Sequence, residues 1–169
     1  MAIERTGKAK EHFERAKELF EKGETASEIE KAAAEFSEVI KLLPNDAESY
    51  DSRGACYSIL EQEEKALDDY SKAISLGDPN DGYSYACYFG RRSALYLKLG
   101  ENEKAKADLE KAVEFAPEDK EKALQYYKFG DEIMELTGNK REAAVYLKKA
   151  VELGDFSNFA KDKLDEWGM

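Results

Sequence analysis

The sequence predicts an all-α chain, a solenoid of four helix-turn-helix repeats closed by a C-terminal capping helix. Three observations carry that expectation. One short pattern recurs four times: Ala32-x3-Phe36-x2-Val39, Ala66-x3-Tyr70-x2-Ala73, Ala105-x3-Leu109-x2-Ala112 and Ala143-x3-Leu147-x2-Ala150, with lead alanines 34, 39 and 38 residues apart. A supersecondary unit recurring at such a period belongs to stacked repeats rather than to one closed core. The only prolines, Pro44, Pro79 and Pro117, each lie a few residues past one of the first three copies. There a residue that cannot continue a helix but suits a first turn separates one repeat from the next. Finally, no segment shows the strict polar–apolar alternation of a half-buried strand.

Taken in order, the helices are expected over 5–22 and 26–42, 46–60 and 63–76, 82–99 and 102–115, and 118–137 and 140–153, with a last helix over 156–167. That gives a single domain over 1–169 with repeats at 5–45, 46–80, 81–117 and 118–155. Ser27-x-x-Glu30 matches a capping box opening the second helix. Gly77 and Gly154, each between a leucine and an aspartate, suit left-handed helix C-caps, with the aspartate capping the next helix. Gly23, Gly100 and Gly138 mark the turns inside repeats. The recurring alanine lets the second helix of a repeat approach the first closely, and the large residue one turn later fills the wedge between them. In the last segment Phe156, Phe159, Ala160, Leu164 and Trp167 form the apolar stripe opposite a charged face. A capping role is favoured there over a self-association or partner-binding helix.

The 169 residues include 42% hydrophobic and 37% charged side chains, and the net charge is -11. An acidic chain is a poor fit to a nucleic-acid backbone or an anionic membrane, since both need a basic face. It fits a basic peptide or protein, and equally it fits plain solubility. The two cysteines, Cys56 and Cys87, build neither a disulfide framework nor a metal site, and imply a reducing compartment. No signal peptide and no apolar run of membrane-spanning length is visible. The expectation is a soluble, cytoplasmic protein.

The second repeat reads Tyr50-x2-Arg53-Gly54-x2-Tyr57 and then Ala66-x3-Tyr70-x2-Ala73. This resembles the tetratricopeptide repeat, a helix-turn-helix unit of 34 residues. In the third, Phe89-x2-Arg92-Ser93-x2-Tyr96 is followed by Gly100, Ala105 and Pro117, with serine replacing the small glycine. The fourth keeps Tyr127, Gly138, Ala143, Leu147 and Ala150, and Met134 stands where tyrosine is usual. The first keeps its second helix and Pro44; its first helix carries Phe13, Ala16 and Phe20, with a turn about three residues too long. The resemblance implies a right-handed superhelical stack whose first helices line a concave groove for a peptide or a helix. The third and fourth repeats exceed the usual period by five and four residues, around Asp81–Tyr85 and Asp119–Ala123, which points to lengthened first helices.

Catalytic chemistry finds little footing. His12 is the only histidine. Flanked by Glu11 and Glu14, it reads as a solvated surface residue, and a lone histidine makes neither a metal site nor a catalytic dyad. No phosphate loop, nucleophile elbow or H-E-x-x-H pair occurs. The expectation is a non-enzymatic chain with no cofactor and no metal.

Binding remains. The resemblance places Glu11, Glu14, Glu18, Glu48 and Asp51 at the early end of the groove and Arg91, Lys98, Lys128 and Phe129 at the later end. A groove acidic at one end and basic at the other would orient a ligand of complementary polarity. Against it stands the plainer reading of i, i+4 charge pairs on solvated helices, which is favoured. Family members that hold the acidic C-terminal tails of heat-shock chaperones share a clamp of lysine, asparagine and arginine. The matching positions here are Glu14, Glu18, Ser52, Cys87 and Arg91, of which Arg91 alone agrees, so such tails are not expected to bind. Among the clustered aromatics Tyr83, Tyr85, Tyr88, Phe89, Tyr126, Tyr127 and Phe129, packing is favoured, while Tyr83, Tyr85 and Phe129 exceed the family pattern and are candidates for a partner surface. The function expected is a protein-interaction module binding a peptide or partner protein, with which a basic segment is compatible. The alternative is a scaffold subunit that dimerises through its fourth repeat and last helix. The expected state is a monomer or weak homodimer.

Overall fold

The computed structural model describes residues 4–154 and 157–169. Among them there are nine α-helices and no strand: α1 (Gly7–Lys22), α2 (Ala26–Leu42), α3 (Ala47–Ile59), α4 (Glu63–Leu76), α5 (Gly82–Lys98), α6 (Asn102–Phe115), α7 (Asp119–Thr137), α8 (Lys140–Leu153) and α9 (Ser157–Glu166). Every boundary lies within two residues of its expected place, and all three prolines fall between helices. α5 and α7 run to 17 and 19 residues against 13 for α3. The extra residues at the repeat junctions therefore lengthen first helices, as their composition suggests.

The helices form two compact units, Met1–Asp81 with α1 to α4 and Gly82–Met169 with α5 to α9. In the first, α2 packs on α1 and α3, and α3 on α4. Its core gathers Phe13, Ala16, Ile29, Ala32, Phe36, Val39 and Cys56, with the Phe13 and Phe36 rings edge to face at 5.7 Å. In the second, α7 packs on α5, α6 and α8, and α9 covers α8. The four lead alanines are all 0% exposed, and Phe36, Tyr70, Leu109 and Leu147 reach at most 4%. The recurring pattern is thus the helix-to-helix seam of each repeat, where a methyl group on one helix admits the other.

Local structure departs from expectation at several points. The capping box at the start of α2 is Thr25 with Glu28, two residues earlier than Ser27 with Glu30. Thr25 has the extended backbone of an N-cap, its side chain accepts from the Glu28 N–H, and Glu28 Oε2 accepts from the Thr25 N–H at 3.0 Å. Both sequence frames fit the motif, and the helix start chooses between them. Gly77 is extended at φ -63° rather than left-handed. Asp78 does not cap α5; its Oδ1 accepts from the Asn80 N–H at 2.9 Å in a local turn. Gly154 has φ 108° with ψ -80°, outside the left-handed helical region, and Asp155 lies outside the described residues.

In the fourth repeat the close-crossing residue is Gly130. A Cβ there would stand 3.0 Å from the Ala143 carbonyl and 3.2 Å from Leu147, as one on Gly54 would stand 2.9 Å from the Tyr70 ring. Counting three residues on, Ile133, 2% exposed, fills the position assigned to Met134, and Tyr126 replaces Tyr127 in the frame. α7 runs two residues further past its crossing residue than α3 or α5 does, while the turn after it is one residue shorter, and the net gain of one residue shifts the register. In α9, Ala160 and Leu164 pack on Leu147 and Ala150 with Trp167 beside them, while Phe159 is 64% exposed. Phe159 sits one position before Ala160, off the i, i+4, i+7 face, so it leaves the expected stripe; Phe156 lies outside the described residues.

Candidate interaction cleft

The residue before each small crossing residue meets the residue before each large wedge residue. Arg53 donates through Nε and Nη2 to the two carboxylate oxygens of Asp69, both at 2.7 Å, and through Nη1 to Ser37 Oγ at 3.1 Å. Arg92 makes the same two-pronged pair with Asp108 at 2.7 and 2.9 Å. A planar guanidinium matches a carboxylate in this fork geometry. In the first repeat Glu35 takes the acid's place, accepting from His12 Nδ1 at 2.6 Å and Arg15 Nη1 at 3.2 Å. Burial alone would raise the Glu35 carboxyl, but the hydrogen bonds from His12 and Arg15 outweigh it and hold the group below its ordinary value. His12 is therefore a structural partner across the repeat rather than a solvated surface residue. In the fourth repeat rings replace the ions: Phe129 meets Tyr146 at 4.6 Å, edge to face.

This exchange shapes the ground between α5 and α7, where unit Gly82–Met169 carries a cleft of about 240 Å³. Its floor is Leu109, Ala94 and Phe129. Arg91 and Lys128 stand on its walls with Asp131, Glu132 and Glu135. Asp131 in the lining is paired with Lys163 of α9. Burial raises the Glu132 carboxyl above its ordinary value, and Glu135 and Asp131 push it further while Lys98 opposes them. Gln125, 6% exposed, turns into the cleft over Gly90. A Cβ on Gly90 would lie 2.3 Å from Gln125 Oε1, so a bare α-carbon is what lets that amide lie there.

The residues expected to face a ligand are sorted by these contacts. Arg91, Lys128 and Phe129 come together at the cleft. Phe129, 4% exposed and held by Tyr146, forms its floor and does not project as an anchor; Asp51, also 4% exposed, is withdrawn from solvent. The expected exposure of both is thereby corrected, in one case because a ring fills the arginine's place and in the other because α3 turns that carboxylate inward. The expected basic end carries three carboxylates against two cations in its lining. Glu14 and Glu18 are exposed on α1, where Glu18 accepts from Lys22 one turn on at 2.8 Å. Glu48 accepts from Arg5 at 2.8 Å, and Lys98 is exposed at the end of α5. Of the surplus aromatics, Tyr85 packs at 5.2 Å on Phe89 and 4.7 Å on Phe115, whereas Tyr83 is 56% exposed.

Sequence reasoning missed Gln125, Glu132 and Glu135, whose roles depend on the register set by Gly130. It also missed the carboxylates of the ion pairs. Their signal lay in plain view: Glu35, Asp69 and Asp108 each directly precede the large residue of the recurring pattern. Among the described residues no group of histidine, cysteine and acidic side chains has metal-binding geometry, and no helix is long and apolar enough to cross a membrane.

Residues 47–77 and 88–119 match the tetratricopeptide repeat. Over 91 residues the chain is 32% identical to the Hsp70-Hsp90 organizing protein 3 of Arabidopsis thaliana, a match covering 54% of this chain and only 15% of that protein's length. The TPR2B-domain:pHsp70 complex of yeast Sti1 aligns with a TM-score of 0.56 at 25% identity, over 86% of this chain and 97% of that one. MamA from Desulfovibrio magneticus RS-1 aligns at 0.66 and 22% identity, over 95% and 87%. At that identity the likeness to MamA is one of fold. With its repeat seams, crossing residues and helix order in agreement with these matches, the chain carries tetratricopeptide repeats at 47–77 and 88–119.

Proposed function

We propose that this chain is a non-catalytic protein-interaction module that takes a peptide segment of a partner in the cleft between α5 and α7. The cleft itself supports the reading most directly: an apolar floor ringed by charges and backed by a buried amide is a place for one side chain and its adjoining main chain. The Sti1 domain, solved in complex with pHsp70, offers a precedent on a similar fold. Filling the cleft tests it. Ala94 is half-buried in the lining, and Ala94→Trp would occupy the space at little cost to the core. Peptides selected from a random library on the parent chain should lose binding to that variant while its thermal midpoint holds. A library that yields no binders, or binders indifferent to the tryptophan, would overturn the reading.

A second reading, self-association, draws on Val145 and Phe159, 54% and 64% exposed on the packed pair α8 and α9. Light scattering distinguishes the two. A concentration-dependent dimer abolished by Phe159→Ser favours association; a monomer at every concentration leaves peptide binding alone.

A further inference from the structure

The cleft between α5 and α7 has a sense of charge as well as a shape. Glu132 and Glu135 lie one turn apart on α7, and Asp131 beside them is engaged by Lys163. On the facing α5, Lys98 is the cation near Glu132; Arg91 of α5 and Lys128 of α7 also line the cleft. Gln125 is 6% exposed, and its side-chain amide lies over Gly90 in the cleft lining. It carries two N–H donors and one acceptor, the complement of a peptide group's C=O and N–H. Below it Phe129, Leu109 and Ala94 offer an apolar bed.

We infer that the cleft binds an extended basic segment: a lysine or arginine whose aliphatic stem lies on Phe129 and Leu109, whose cationic head meets Glu132 and Glu135, and whose main chain is held by the Gln125 amide. Long cationic side chains bury their stems while keeping the charged head near the polar rim. A carboxylate already disfavoured by burial and by two like-charged neighbours gains more from an incoming cation than an exposed one does. The inference rests on the cleft being the peptide site. It is opposite in charge to what a clamp for acidic tails requires.

The test uses three capped, fluorescein-labelled peptides: one with arginine between two leucines, one with glutamine in its place, and one ending Glu-Glu-Val-Asp. Fluorescence anisotropy with the full chain should rank them basic, then neutral, then acidic. The double variant Glu132→Gln, Glu135→Gln should weaken the basic peptide by about tenfold or more, equivalent to at least 1.4 kcal/mol, and leave the neutral one unchanged. Binding should also slow alkylation of Cys87, which lines the cleft, with buried Cys56 as the unreactive internal reference. An acidic peptide that binds more tightly than the basic one, or a basic peptide indifferent to the double variant, overturns the charge assignment while the peptide site stands. If no peptide binds or protects Cys87, both the assignment and the site fall.

Discussion

Phe129 and Tyr146 meet edge to face at 4.6 Å, at the place where Arg92 and Asp108 form a two-pronged ion pair one repeat earlier. The two pairs bridge the same two helices of a repeat by different physics. Asp108 is 6% exposed, so its charge depends on the guanidinium for compensation, whereas the ring pair needs none.

That contrast makes the exchange testable. Arg92→Phe alone should destabilise the chain by about 3 kcal/mol or more, because it leaves a buried carboxylate unpaired. Arg92→Phe with Asp108→Tyr transplants the ring pair and should recover most of the loss, to within about 1 kcal/mol of the parent. Urea midpoints measure both. A double variant no better than the single would mean that the two sites are not interchangeable.

Glu132 carries a pH dependence whose sign is set by its environment. Burial, Glu135 and Asp131 raise its carboxyl above the ordinary value, and in the unfolded chain it titrates near ~4.3. With the folded value raised, its favourable contribution is complete below the unfolded value and is lost as pH rises through the folded one. Glu132→Gln never ionises. Thermal midpoints of variant and parent should therefore differ least near about pH 4 and separate as pH rises to about 7, with the variant the more stable there. The opposite drift would contradict the burial argument. The same substitution would weaken basic-peptide binding, so stability and binding should move in opposite directions at one residue.

Much of the fold is legible because repetition makes the signal redundant. Ala32, Ala66, Ala105 and Ala143 each report the same crossing, and three prolines and several turn glycines mark the intervals. Where redundancy fails, the pattern misleads. Gly130 is hidden because α7 runs on past it far enough to add one residue before Ala143, which points to Met134 in place of Ile133. The site is less legible still. Arg91 and Lys128 can be placed from their helix faces, but the inward turn of Phe129 depends on Tyr146, and the exposure of Glu132 depends on α5. Pairings of that kind belong to packing between helices, and no single-helix period encodes them.

Gly54 gives a sharp packing test. A Cβ there would lie 2.9 Å from the Tyr70 ring and 3.3 Å from the Asp69 Cβ. Gly54→Ala should cost about 1–3 kcal/mol by overpacking, despite alanine's better helix propensity. Chemical denaturation reads it; a stabilised variant would show that Tyr70 has room to swing aside.

The two thiols should behave unequally. Cys56 is 0% exposed and burial pushes its thiol up to about 12, so the reactive thiolate is scarce at neutral pH. Cys87 is partly exposed at the cleft. Native protein treated with iodoacetamide should gain one adduct by mass spectrometry, and Cys87→Ser should gain none. Two adducts at equal rates would mean that the first unit opens readily.

The ion pairs of the second and third repeats each join residues 16 apart in the chain, and the Phe129–Tyr146 contact spans one residue more. Loops that short close quickly and at modest entropic cost. Each hairpin can therefore lock soon after its second helix is made, without waiting for sequence still to come. Emerging from a ribosome, such a chain would gain its structure in instalments, one repeat at a time, with little long-range searching left to do at the end.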